Sequence, residues 1–347
     1  MPFVTPSPSL RTLGDAANRL TVSKEVPVRF TARPVALALV AALSAVVLVG
    51  CSPASDSCNN PLGEGSASLV SASGPFGQPP LVEFPTPFVG RDASTATVIP
   101  GSGDIIESGS YVDFEATLSA GVDQTVIQAT EYGANGAPAQ RIPIEAGTNA
   151  LSDSFLCHRA GERFVLTGTI EDIFGDQGPI GIDPTDTMVV VFDVIGVYPH
   201  SASGLPQFAQ DGMPAVTTAP DGRPGIAVPN IEPPTDLRIS TLTKGDGSIV
   251  SEGQTVVVHY TGVVWGGVVF DSTWDMNRPS DLIAQSFIDN AGVGVVPGFA
   301  KALIGQTVGS RVLVAIPPSE GYPSGQEPTS IPANATMIFV IDILGTK

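Results

Sequence analysis

Residues 98–117, VIPGSGDIIESGSYVDFEAT, can be laid over residues 242–261, LTKGDGSIVSEGQTVVVHYT, without a gap. Gly101/Gly245, Gly103/Gly247, Gly109/Gly253, Val112/Val256 and Thr117/Thr261 then coincide at a constant offset of 144. Glycines repeated at fixed spacing imply repeated turns, since each marks a backbone position that other residues fit poorly. Further along, AGERFVLTGTIEDIFG (160–175) pairs with VGSRVLVAIPPSEGYP (308–323), and TMVVVFDVI (187–195) pairs with TMIFVIDIL (336–344). Two units that begin and finish alike are two copies of one fold, so the architecture has to fit within about 110 residues and occur twice.

Inside each unit the periodicity is of strand type. Thr255–Tyr260, Val268–Phe270, Arg311–Ile316 and Thr336–Leu344 are rich in Val, Ile and Phe and bounded by Gly, Pro or Asn. One short helix can be placed, in PGFAKALIGQ, where Phe299, Ala302 and Leu303 fall at i, i+3 and i+4 and Gly305 stands at the C-terminal cap. The expected class is therefore α+β, a curved antiparallel sheet wrapped on one short helix, twice over. With 38 Gly, 32 Pro and 42% apolar residues, the chain has both the turns and the core material for this. The boundaries read as a tether at 51–81, a first domain at 82–198, a Pro/Gly-rich linker at 199–233 and a second domain at 234–347.

Charge and chemistry exclude several functions. A formal net charge of −18 repels phosphate backbones, which argues against nucleic-acid partners. His158, His200, His259, Cys51, Cys58 and Cys157 are scattered without metal-ligand spacing, so neither a metal nor another cofactor is expected. Cys157 and His158, read as neighbours on a helix, would point about 100° apart and cannot act as nucleophile and base. His259, next to Tyr260 on a strand, faces the opposite side and reads as a surface or sheet-packing residue.

The N-terminus reads as an address. Residues 35–49, VALALVAALSAVVLV, follow Arg11, Arg19, Lys24, Arg29 and Arg33, and the run is shorter than a comfortable membrane span. It closes on Leu48-Val49-Gly50-Cys51, which resembles the lipobox of bacterial lipoproteins. That resemblance implies removal of residues 1–50 as a signal peptide and lipidation of Cys51, leaving an extracytoplasmic protein held to the bacterial cell membrane by its lipid. The mature chain would carry 11 basic against 32 acidic groups, so charge would not hold it there. Cys58 and Cys157 would then be the remaining thiols in an oxidising compartment, either bridged or separately buried and exposed.

The ordered motifs VVVHYTG (256–262), FDST (270–273), VVPGFAKAL (295–303), VGSRVLVAIPP (308–318), EGYP (320–323) and IPANATMIFVIDIL (331–344) resemble the FKBP-type peptidyl-prolyl cis/trans isomerases over about 236–346. The resemblance implies two FKBP-like domains, the first degenerate, and rotation about the bond before proline. Implied partners are proline-containing peptides, unfolded exported proteins and macrolide inhibitors of the family. Carried over by position, the catalytic set is Tyr260, Phe270, Asp271, Val296, Phe299 and Tyr322, with Phe287, Val295, Ile331 and Phe339 completing the substrate site. Met276 stands where the family commonly pairs an Arg with the Asp, and Pro323 and Glu327 depart from the family's flap loop. In the first unit Tyr260 corresponds to Ala116, Asp271 to Gln128, Phe299 to Leu151 and Tyr322 to Phe174, so the pocket chemistry is missing there. The rival reading is a non-catalytic holdase or scaffold.

Overall fold

The computed structural model describes residues 58–90, 92–175, 183–208, 210–288 and 292–347. The signal-peptide reading of 1–50 and lipidation of Cys51 lie outside the described residues. The first unit runs β1 (Ser71–Ser73), β2 (Leu81–Glu83), β3 (Ser94–Ile99), β4 (Tyr111–Ala120), β5 (Val126–Ala129), β6 (Gln140–Pro143), α1 (Ala150–Phe155), β7 (Arg163–Thr169), α2 (Ile170–Phe174) and β8 (Thr187–Tyr198). The second runs β9 (Leu205–Pro206), β10 (Ala215–Thr218), β11 (Pro224–Ala227), β12 (Arg238–Lys244), β13 (Thr255–Val264), β14 (Val269–Ser272), β15 (Ser280–Ile283), α3 (Pro297–Leu303), β16 (Arg311–Ile316) and β17 (Met337–Thr346).

The two sheets have the same antiparallel connectivity. Order β3-β7-β8-β4-β5, with β6 also on β4, is matched by β12-β16-β17-β13-β14, with β15 also on β13 and β9 added at the far edge. The bulge at Asp113/Phe114 recurs at Val257/Val258, and that at Leu118/Ser119 recurs at Gly262/Val263, both at the sequence offset of 144. The paired glycines have their reason here. A Cβ on Gly101 would lie 2.7 Å from the Ala160 carbonyl oxygen, and one on Gly245 would overlap that of Val308. On the concave face each sheet covers a short helix, with Phe299, Ala302 and Leu303 all buried as the spacing of α3 requires. The first unit carries α2 as well, so one helix per unit was too few.

Two boundaries change. The expected tether up to residue 81 is structured from Cys58 onward, because the β1–β2 hairpin and its flanks pack Ala67, Ala72, Phe84 and Phe88 against Val165, Val189 and Val191 on the convex face of the first sheet. The Asn60 side-chain amide also donates to the carbonyls of Asp153, Ser154 and Leu156 at 2.7–3.2 Å. The linker is likewise occupied. The β10–β11 hairpin lays Val216 and Ile226 on Leu313, Ile338 and Val340 of the second convex face, and β9 pairs with β12. Strap hairpins β1–β2 and β10–β11 again sit 144 residues apart, so the repeating unit is a strap plus a sheet. Apolar alternation over stretches of three or four residues was too short to read against their Gly and Pro content.

A buried guanidinium pins each strap. Arg163, fully buried, donates to both oxygens of Asp193 (2.6 and 2.7 Å) and to the carbonyls of Gly74, Pro75 and Gln78 in the β1–β2 turn. Arg311 does the same to Asp342 (2.5 and 2.7 Å), Thr218 Oγ1 and the Gly222 carbonyl. Cys58 and Cys157 form a disulfide with a Cα–Cα distance of 5.4 Å. Cys157 follows α1 with φ of +69° and so is not helical, which corrects the expected helix placement. His158 is buried and bonded to Glu162 (2.8 Å) and Thr95 (3.2 Å).

The two units meet through a polar network around His259, which is fully buried rather than at the surface. The single Tyr111 hydroxyl proton is committed to Asn277 Oδ1 (2.5 Å), so His259 Nε2–H donates to the Tyr111 hydroxyl oxygen (2.8 Å) and His259 Nδ1 accepts from Thr273 Oγ1 (2.7 Å). Thr273 Oγ1 in turn accepts the Tyr260 N–H (2.9 Å), and Trp274 stacks on the imidazole at 4.1 Å. Burial, then the charges of His200 and Arg141, push the His259 pKa down to about 3, so it stays neutral in the folded protein. Because the unfolded histidine titrates near 6.5 and the folded one near 3, its contribution to stability is complete above pH 6.5 and is lost as pH falls toward 3. Urea melts are expected to show about 2 kcal/mol lost from this site between pH 7.5 and 5, a window above the carboxylate range. His259→Gln should flatten that difference, and parallel wild-type and variant curves would refute it.

Candidate active site

The concave face of the second sheet gathers aromatic rings because neighbouring strands place alternate residues on the same side. Tyr260 on β13 and Phe339 on β17 come from adjacent central strands, and the paired edge strand β14 adds Phe270 and Asp271. Helix α3 raises Phe299 from below, with Pro297 at its first turn fixing the entry and Val296 as its N-cap residue. Phe299 meets Phe339 edge-on at 4.9 Å and Tyr260 at 5.9 Å, while Phe270 meets Phe339 edge-on at 5.5 Å. On the opposite rim Phe287 and Tyr322 lie 6.1 Å apart. Phe287 is tied in by its N–H to the Val295 carbonyl (2.9 Å), and the turn before Tyr322 is held to α3 by Lys301 Nζ on Glu320 (2.6 and 2.8 Å).

These residues enclose a cavity of about 400 Å³. Tyr260, Phe270, Asp271, Phe287, Val295, Val296, Phe299, Tyr322 and Phe339 all line it. Ile331 does not; it is buried in the core cluster that backs the rings. Polar groups at the rim are few. The Tyr260 hydroxyl donates to Asp271 Oδ2 at 2.6 Å, and burial first and then this carboxylate push the phenol pKa above its usual 10. Tyr322 is raised too, by burial and by Asp271. Both phenols are therefore proton donors across the neutral range. The Val296 N–H has no backbone acceptor among the described residues. Met276 is 80% exposed, and Asp271 makes no ion pair among the described residues. Glu327 turns back to accept the Gly325 N–H (2.7 Å) and is not in the lining.

Sequence reasoning missed Leu282 and Gln326, which line the cavity, and Gly262, which makes it. A Cβ on Gly262 would sit 2.7 Å from the Phe270 ring and 2.8 Å from the Phe339 ring, so only glycine lets the two rings meet across β13. A glycine inside a central strand is itself the signal, because it weakens a strand unless something approaches closely.

The first unit shows what happens without it. The registers put Leu118 at the place of Gly262, Ala116 at Tyr260, Val190 at Phe339 and Gln128 at Asp271. Its rings lie deeper instead. Phe114, Phe164 and Phe192 stand at the positions of Val258, Val312 and Ile341, and all three pack on Phe155 at 4.8–5.5 Å.

An FKBP-type peptidyl-prolyl cis-trans isomerase family model matches residues 247–344. The chain is 34% identical over 125 residues to "FK506-binding protein" of Streptomyces anulatus, covering 35% of this chain and 95% of that one. It is also 34% identical over 109 residues to "Peptidyl-prolyl cis-trans isomerase FKBP1A" of Xenopus laevis, covering 31% of this chain and 95% of the relative. Among solved structures, the three FKBP domains of wheat FKBP73 align at 17% identity with a TM-score of 0.31, over 74% of this chain and 94% of that one.

Gly262→Leu, which installs the residue of the first unit, is expected to separate the Phe270 and Phe339 rings and close the cavity. The overpacking should cost about 1–3 kcal/mol in chemical denaturation. A crystal structure of the variant with the edge-on ring contact intact would disprove the role given to this glycine.

Proposed function

The chain belongs to the FKBP-type peptidyl-prolyl cis-trans isomerases, and from that premise we propose that turnover takes place in the aromatic cavity of the second unit, at the outer face of a bacterial membrane, on exported proteins that are still folding. The observation that carries the assignment of the site is the convergence of Tyr260, Phe270, Phe299 and Phe339 on one 400 Å³ cavity whose polar groups are confined to its rim.

Rotation about an X-Pro bond breaks no covalent bond. It passes through a twisted amide about 18–20 kcal/mol above the planar forms, and removing about 4 kcal/mol accelerates it about a thousandfold. No nucleophile is required. The prolyl ring would enter the aromatic box, where the amide carbonyl loses hydration that otherwise favours the planar, charge-separated form. The Val296 N–H and the Tyr322 hydroxyl would donate to substrate carbonyls and hold the chain while the bond turns. Asp271 orients the Tyr260 hydroxyl and keeps that wall fixed. Macrolides of the kind named for the Streptomyces relative would compete for the same box.

The first unit we read as a degenerate FKBP-like copy that does not isomerise. Leu118, Ala116 and Val190 replace the groups that shape the cavity, and its own rings are spent on the core. Membrane anchoring is supported by the apolar run that ends at Cys51, and an oxidising location by the Cys58–Cys157 disulfide.

In a chymotrypsin-coupled or fluorescence assay of X-Pro rotation, the mature chain is expected to accelerate the reaction. Phe299→Ala should lower kcat/KM at least about tenfold, through loss of the packed ring. Tyr322→Phe, losing one donor, should lower it about two- to tenfold. Activity should stay level from pH 7 to 9.5, since both phenols titrate above their usual range. Variants that match the wild type would remove the cavity from the mechanism. For the anchor, Cys51→Ala is expected to shift the protein from the membrane to the soluble fraction of the producing cell, and unchanged fractionation would refute lipidation.

A further inference from the structure

Beside the aromatic cavity lies a second depression of about 490 Å³ that shares Tyr260, Asp271 and Leu282 with it. Its near wall is the 276–281 turn of the second unit, and its far wall belongs to the first unit, through Pro138, Ala139 and Arg141. A peptide with its prolyl ring in the cavity has chain leaving it in two directions, and this groove opens directly from the shared rim. We propose that the groove is a subsite for substrate residues flanking the isomerised proline, built jointly by both units, and that Arg278 gives it a preference for an acidic side chain. The proposal rests on the placement of the proline in the neighbouring cavity.

The walls are preorganised by the contact between the units. Asn277, in a left-handed conformation with φ of +45°, is held by the Tyr111 hydroxyl of the first unit, and the Arg278 N–H donates to the Thr273 carbonyl (3.3 Å). Arg141 spans the junction, donating to both oxygens of Asp113 (2.6 and 2.9 Å) and to the Pro279 carbonyl (3.0 Å), and pairing with Asp281 (2.7 Å). Arg141 and Asp281 occupy the same position of β6 and β15, so equivalent strands of the two copies are joined by an ion pair.

Charge then selects the occupant. Lys347 is neutralised by Asp113 and Asp281, Arg141 by the same two carboxylates, and Asp271 holds the Tyr260 hydroxyl. Arg278 is the charged side chain of the groove left without an ion pair or side-chain hydrogen bond among the described residues. Asp271 keeps its charge at the end shared with the cavity, so the preference comes from the guanidinium itself: unpartnered beside two cations already matched by two carboxylates, it favours a carboxylate in contact with it and disfavours an ammonium.

The test uses the mature full chain and peptides that share one X-Pro core, either bare or extended by four residues carrying Glu or Lys on one side or the other. For the side that enters the groove, the Glu-extended peptide is expected to exceed the Lys-extended one about fivefold in kcat/KM, mostly through KM, as an exposed ion pair allows. Arg278→Ala should bring that ratio to about one, and Arg278→Glu should invert it. Ala139→Trp, which fills the groove from the first unit, should remove the gain of extended over bare peptide whatever the charge. Equal rates for Glu- and Lys-extended peptides on both sides in the wild type, or a ratio unmoved by both Arg278 variants, would overturn the subsite while leaving the proline cavity intact. Failure to turn over even the bare peptide would overturn the cavity and the groove with it.

Discussion

The arrangement of each unit depends on a buried guanidinium. Arg163 and Arg311 lie between a sheet and its strap hairpin, and each spends its donors on one carboxylate of the long closing strand and on oxygens of the hairpin. An arginine buried in this way is tolerable only when every donor is answered, and removing one partner from such a pair commonly costs about 3–5 kcal/mol. The pin therefore ties three elements at once: β7 or β16 supplies the arginine, β8 or β17 the aspartate, and the strap the remaining acceptors. It holds the convex face closed, which leaves the concave face free to specialise.

How the two copies specialised is a matter of where the rings were put. In the second unit the large side chains stand at the open end of the sheet and the positions behind them are Val, Leu and Ile. In the first, phenylalanines occupy the rear positions and small or aliphatic residues the front. Both arrangements bury an apolar core under the same strand order, so the exchange keeps the fold while moving the rings away from the rim. Gly262 and Leu118 mark the same divergence on the backbone, since a side chain at that point takes the volume that two rings would share.

The contact between the units does more than join them. From Tyr111 through His259 and Thr273 the hydrogen bonds reach the backbone of Tyr260, behind the wall of the cavity. A neutral, fully hydrogen-bonded imidazole is compatible with complete burial, whereas a charged one is not. The same surface carries Arg141, Asp281, Asp113 and Lys347, two charges of each sign closely packed. The first unit, with Leu118 and Val190 where the second has Gly262 and Phe339, thereby shapes the ground next to its neighbour's cavity.

Much of this was written in the residue order. The 144-residue repeat, the glycine turns, the strand class and the helix of Phe299, Ala302 and Leu303 follow from local rules, because each needs only nearby residues and a period of 2 or 3.6. Most of the residues that line the cavity were also named through the resemblance to a family, although Ile331, named with them, backs the cavity rather than lining it. Even the pins left a trace, an Arg and an Asp recurring in GER/GSR and FDV/IDI, although nothing in the sequence said that they would meet a hairpin far earlier in the chain. What only the tertiary structure decided involves distance along the chain: the straps in place of tether and linker, the burial of His259, and the groove formed by residues 138–141 against 276–281. Those features depend on which faces are covered by segments distant in sequence, and a periodicity read one window at a time carries no information about its partner.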